Sequence, residues 1–115
     1  MGATDTINEA FGYAHNEKGM KEAYDAVVSE CEILYGNDPY NGTISTTEGV
    51  IHARVNGVKA EPISVDSFKD SIFCEKYPED FGAEKWGNSV AVPVFEEKDN
   101  GKTDTGWIFL SIAAE

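Results

Sequence analysis

The chain has 115 residues, 41% of them hydrophobic, and sets twenty-one acidic side chains against nine basic ones for a net charge of −12. That length suits a single domain spanning residues 1–115 with a core of its own, and the apolar fraction excludes a disordered chain. The charge excludes direct binding to nucleic acid or to an anionic membrane surface, since both need clustered Lys and Arg, and Arg54 is the one arginine.

Residues 5–14 read as a first strand, with Ile7, Phe11 and Tyr13 alternating with Ala10, Gly12 and Ala14. Residues 17–35 read as a long amphipathic helix. Asn16 is a good N-cap, and Met20, Ala23, Tyr24, Val27, Cys31, Leu34 and Tyr35 recur at spacings of three and four, marking a core-facing stripe. Glu17 and Lys21 form a favourably ordered i,i+4 pair, and Gly36 supplies the stop. Asn37-Asp38-Pro39-Tyr40-Asn41-Gly42 is a turn cluster.

Short strand-like runs follow at 43–47, 50–55 and 58–63. Asn56-Gly57 between the last two is a strong hairpin signal. Residues 64–77 read as a shorter helix capped by Ser64 and ended by Pro78, and residues 78–88 as irregular with at most one helical turn. The chain closes with strands at 89–95 and 107–113, joined by a long polar loop over 96–105. Pro93 predicts an edge position or a bulge, and the second strand, apolar on both faces, a central one. The expected class is α+β, in the order β-α-β-β-β-α-β-β. It combines a small antiparallel or mixed sheet with one long and one short helix packed on one face.

No apolar run approaches the about 18 residues that a membrane helix needs, and the opening residues lack the apolar stretch of a secretory signal. A cytoplasmic protein with Cys31 and Cys74 reduced is expected. Met1-Gly2-Ala3-Thr4-Asp5-Thr6 fits an acylation pattern, but one acyl chain beside an acidic surface anchors poorly.

The residues offer little machinery for catalysis. Cys74 with His52 is the one nucleophile–base combination to consider, and nothing in the sequence brings them together. His15, His52, Cys31 and Cys74 lack metal-ligand spacing, so no metal or other cofactor is expected. Asp99-Asn100-Gly101-Lys102-Thr103-Asp104 resembles a calcium loop loosely but reads as a solvated hairpin tip. No phosphate-binding glycine loop is present, and a non-enzymatic role is favoured.

Tyr35, Gly36, Tyr40, Gly42 and Ile44 form a Tyr-Gly-x-x-x-Tyr-x-Gly-x-Ile run behind the long helix, and Gly106-Trp107-Ile108-Phe109 forms the closing strand. Together they resemble small proteins encoded by phages and mobile elements. That resemblance implies an accessory or host-interaction role and brings no activity or catalytic residue with it.

The leading functional expectation is an acidic binding or inhibitory module. Its carboxylates would stand in for phosphates on a basic, nucleic-acid-handling protein. Glu22, Asp25, Glu30 and Glu32 on the long helix are the candidate contacts, and Asp38, Tyr40 and Asn41 in the turn cluster a candidate recognition loop. Glu96, Glu97, Asp99 and Asp104 form a second acidic patch. The alternatives are an assembly subunit that adds to a sheet edge, and a small ligand-binding domain or enzyme with a pocket lined by Tyr40, Trp86 and Trp107.

Overall fold

The computed structural model describes residues 3–35, 43–44, 47–84 and 87–114. Its centre is a mixed sheet with the strand order β1-β7-β6-β2, in which β5 also pairs with β6. β1 (Ala3–Phe11) runs antiparallel to β7 (Thr103–Ala114), and β7 antiparallel to β6 (Asn88–Glu97). β2 (Gly49–His52) and β5 (Ile63–Ser64) lie end to end along the far edge of β6, both parallel to it. β3 (Arg54–Val55) and β4 (Val58–Lys59) form a separate two-stranded ladder. The class is α+β as expected, with β7 in the interior of the sheet.

α1 (Glu17–Tyr35) has the bounds its sequence predicts. The Asn16 side-chain oxygen accepts a hydrogen bond from the Gly19 N–H at 2.7 Å, and Glu17 meets Lys21 at 3.2 Å. Met20, Ala23, Tyr24, Val27 and Cys31 are buried against Ala91, Trp107 and Phe109 on one face of the sheet. Leu34 is an exception to the stripe: it is 65% exposed, and Ile33 beside it 84%. Periodicity tells which way a side chain points, not whether anything lies opposite, and the last turn of α1 runs past its packing surface.

The other face carries Val90, Val92, Val94, Ile108 and Leu110, covered by Phe68, Phe73 and Phe81. These phenyl rings belong to α2 (Val65–Phe68), α3 (Ile72–Glu75) and a 3-10 turn, Pro78–Phe81. The short helix expected over 64–77 is therefore bent into two turns. Ser64 caps the first, its hydroxyl accepting from the Ser67 N–H. Ser71 breaks the run: its hydroxyl donates to the Phe68 carbonyl at 2.6 Å and accepts from the Phe73 N–H, a local side-chain alternative to helix continuation. The long helix and the short one thus divide between the faces, α1 on one and α2 and α3 on the other.

Other departures have equally local causes. Pro93 lies in an inner strand, not at an edge. Its missing N–H faces the gap between β2, whose pairing ends at Ala91, and β5, whose pairing starts at Val94. Pro62 interrupts the run 58–63 and leaves strand only at its two ends. The run 43–47 is no strand at its described residues: Ile44 is fully buried in a helical turn, and the Thr47 N–H returns to the Ile44 carbonyl. The last loop is shorter than expected, because β6 and β7 pair as far as Glu97–Thr103.

Asn56 and Gly57 have positive φ values of 53° and 81°. That is the left-handed pair a two-residue hairpin needs, and the reason Gly follows Asn there.

Tyr24 ties Thr47, and through it Ile44, to α1. The Thr47 hydroxyl donates to the Ile44 carbonyl at 2.6 Å, so it receives the Tyr24 hydroxyl, also at 2.6 Å. Burial pushes the Tyr24 phenol above its ordinary value, and the Thr47 bond offsets this only in part.

Two stability outcomes follow. Phe109→Ala is expected to cost about 3–5 kcal/mol, and Leu34→Ala under about 1 kcal/mol, in urea unfolding; equal costs would contradict the placement of Leu34. A raised folded pKa contributes stability below the unfolded value near 10 and loses it as pH climbs through the folded value. Tyr24→Phe should flatten the fall of the unfolding midpoint above about pH 10. An unchanged slope would show that the phenol is not desolvated.

Candidate functional site

The residues predicted as contacts fall into two groups. Glu22, Asp25, Glu30 and Glu32 are all exposed on the outward side of α1. Glu22 lies 3.8 Å from Lys18. Asp25, Glu30 and Glu32 have no ion pair among the described residues. Asp38, Tyr40 and Asn41 lie outside the described residues, as does Trp86, so the pocket expected from Tyr40, Trp86 and Trp107 is described at Trp107 alone. In the second acidic patch, Asp104 is held by Lys98 at 2.7 Å, and that bond raises the lysine's pKa.

Trp107 is not a pocket aromatic but a buried post, 1% exposed, in the interior strand. Its indole N–H donates to the Ala14 carbonyl at 3.0 Å. Both histidines of the chain stand edge-on to it. The His15 ring centroid is 5.5 Å away at 85°, and that of His52 is 5.4 Å away at 87°, within the range of favourable perpendicular aromatic contacts.

His15 comes from the loop between β1 and α1. Its Nε2 lies 2.9 Å from the Val94 carbonyl oxygen and 3.1 Å from that of Gly106. His52 ends β2, and its Nε2 lies 2.8 Å from the Ala60 carbonyl oxygen. Carbonyl oxygens only accept, so Nε2 carries the hydrogen in both rings. Neither Nδ1 has a hydrogen-bond partner among the described residues.

The loop that presents His15 depends on Gly19. A Cβ there would stand 2.1 Å from the Ala14 carbonyl oxygen, the same oxygen that receives the Trp107 indole. Helix, loop and central strand meet with no room for a methyl group.

The histidines open on a cleft of about 530 Å³. Asn16, which caps α1, lines it with Glu17 and Met20 of the helix, as do Arg54 and Lys59 of the β3–β4 hairpin. Val50, Ile51 and Phe81 complete the apolar part. Sequence reasoning missed His15, Arg54 and Lys59 as members of one site. The signal was available for the last two: a two-residue turn at Asn56-Gly57 sets Val55 opposite Val58, and therefore Arg54 opposite Lys59.

Cys31 is buried and Cys74 exposed. Desolvation raises both thiols, helped at Cys74 by Asp70, and the Thr43 bond opposes it at Cys31. Raised thiols are poorer nucleophiles. No group of three or more His, Cys, Asp or Glu is arranged to hold a metal among the described residues, and no described helix is long and apolar enough to cross a membrane. Comparison with known proteins found no matching family model, no matching curated protein and no matching solved structure.

Gly19→Ala should push the Gly12–Asn16 loop off the indole. It should change the near-ultraviolet circular dichroism and lower stability by about 2 kcal/mol or more. A variant with the parent spectrum and midpoint would show that the loop is not pinned there.

Proposed function

We propose that this protein is a small acidic binding module that engages a basic protein surface through the outward side of α1. One observation carries the reading. Asp25, Glu30 and Glu32 are exposed and without ion pairs among the described residues, and in the last turn of the same helix Ile33 and Leu34 are 84% and 65% exposed. Uncompensated charge steers an oppositely charged partner and raises its rate of encounter. Large exposed apolar side chains supply the burial that holds it. The net charge of −12 favours a partner whose groove otherwise receives phosphates, such as a nucleic-acid-handling protein.

A second reading, assembly through a sheet edge, rests on β1. Its outer edge is unpaired over Ala3–Phe11 among the described residues, and Ile7 is 63% exposed there. A two-fold pairing centred on Ile7 would set Asp5 against Glu9 of the other copy, and like charges directly opposed are destabilising. In that register the edge suits an incoming strand rich in lysine or arginine better than a second copy.

Immobilised protein exposed to a nuclease-treated lysate is expected to retain a basic protein at about 0.05 M salt and release it by about 0.3 M. Against that partner, E22Q/D25N/E30Q/E32Q should slow association by about tenfold, and I33S/L34S should hasten dissociation. An unchanged association rate for the fourfold variant would overturn the reading.

A further inference from the structure

The β3–β4 hairpin places Arg54 directly opposite Lys59. Like charges in that position weaken a two-stranded ladder, which is marginal to begin with. The pairing is conspicuous in this chain, where acids outnumber bases by twenty-one to nine. Lys18, Lys21 and Lys98 each have a carboxylate partner; Arg54 and Lys59, like Lys69, Lys76 and Lys102, have none among the described residues. Arg54 gives one N–H to the Gly57 carbonyl at 3.0 Å and keeps the rest of its guanidinium fork available.

The two cations do not face open solvent alone. With His52 and His15 they line the cleft. Both histidines and the one arginine of the chain thus converge on one place. Glu17 is the one acid among the described lining residues, and it already meets Lys21 at 3.2 Å. The cleft therefore has a cationic end in a molecule that is acidic elsewhere. Screening at physiological salt weakens the influence of acids more than about 8 Å away.

Apart from Asn16, the remaining lining is apolar: Met20, Val50, Ile51 and Phe81. Ile51 is 36% exposed, the exposure expected of a side chain on the wall of an open site. A volume of about 530 Å³ falls within the span of about 300–1,000 Å³ typical of small-molecule sites.

We infer that this cleft binds a small organic anion. Its carboxylate or phosphate head group lies between Arg54 and Lys59, and its apolar body lies against Met20, Val50, Ile51 and Phe81. The head group relieves the cross-strand repulsion of the hairpin, so binding and hairpin stability are coupled. This site is separate from the outward side of α1 and does not depend on the partner proposed for it.

Titration calorimetry with phenyl phosphate and with benzoate tests the inference, with inorganic phosphate and benzyl alcohol as the head-only and body-only controls. At least one of the two aromatic anions should bind, and the tighter of the two identifies the head group. Each control should bind about tenfold or more weakly than the preferred anion. R54Q and K59Q should each weaken binding by about tenfold, while K69Q, which removes one positive charge from α2's C-terminal cap, should leave it unchanged. Without ligand, K59Q should unfold at a slightly higher temperature than the parent, because the opposed charges are gone. The preferred anion should raise the parent's midpoint and leave that of R54Q/K59Q where it was. Binding of neither aromatic anion at about 10 mM would overturn the inference. So would equal binding by the R54Q/K59Q variant, or equal loss in K69Q.

Discussion

The α1 side of the molecule depends on the burial of one indole. Trp107 occupies the interior strand at 1% exposure, and its N–H needs an acceptor at that depth. A buried donor left without one would cost about 1–3 kcal/mol. The Ala14 carbonyl meets the need at 3.0 Å, and for that oxygen to arrive the first turn of α1 must come close enough to exclude any side chain at Gly19. The loop that carries Ala14 also carries His15, whose Nε2 is then brought to the carbonyls of Val94 and Gly106. One hydrogen-bonding requirement thus fixes the entry of the helix, the path of the loop and part of the cleft.

Another part is fixed from the opposite edge of the sheet. β2 ends at His52, and the chain leaves β6 only after the Ala53 N–H reaches the Ala91 carbonyl at 2.8 Å. The Ala60 N–H returns to the Ala53 carbonyl at 2.9 Å, while the Ala60 carbonyl receives His52 Nε2. These bonds close the base of the hairpin and hold it beside the sheet edge. Arg54 and Lys59 are consequently presented by a short, tied excursion and not by a free loop, which limits the entropy lost on engaging a ligand.

The legible parts of the sequence were those in which several local signals agree. α1 was readable to its ends because the Asn16 cap, the apolar stripe and the Gly36 stop point to the same residues. The Asn56-Gly57 turn was readable because its backbone requirement is chemical and local. β7 was readable as central because it is apolar on both faces. The pieces β2 and β5 were harder, since their extent is decided by parallel partners on β6, far along the chain. Pro93 misled for the same reason: its missing donor is harmless where two short strands leave a gap, and no local rule reveals the gap. Leu34 obeyed the helical period and still lies exposed, because a stripe is buried only as far as its counterpart extends.

The acidic residues of α1 were legible as a surface, whereas the cationic cleft was not legible as a site. Acids on the polar side of an amphipathic helix point outward by geometry alone. His15 and His52 meet Trp107 only through the sheet, and each looks unremarkable in its own segment. The register of the hairpin, by contrast, follows from the length and chemistry of its turn. A turn of two residues sets each flanking residue against its mirror position, so Arg54 against Lys59 is a consequence of Asn56-Gly57 as much as of the fold. A repulsive pair that local chemistry enforces, in a chain with acids to spare for neutralising it, is a local conflict of the kind that functional sites retain. The twenty-one acids make the point sharper: a carboxylate opposite either cation would have stabilised the ladder, and none of the described ones is within ion-pairing distance of either.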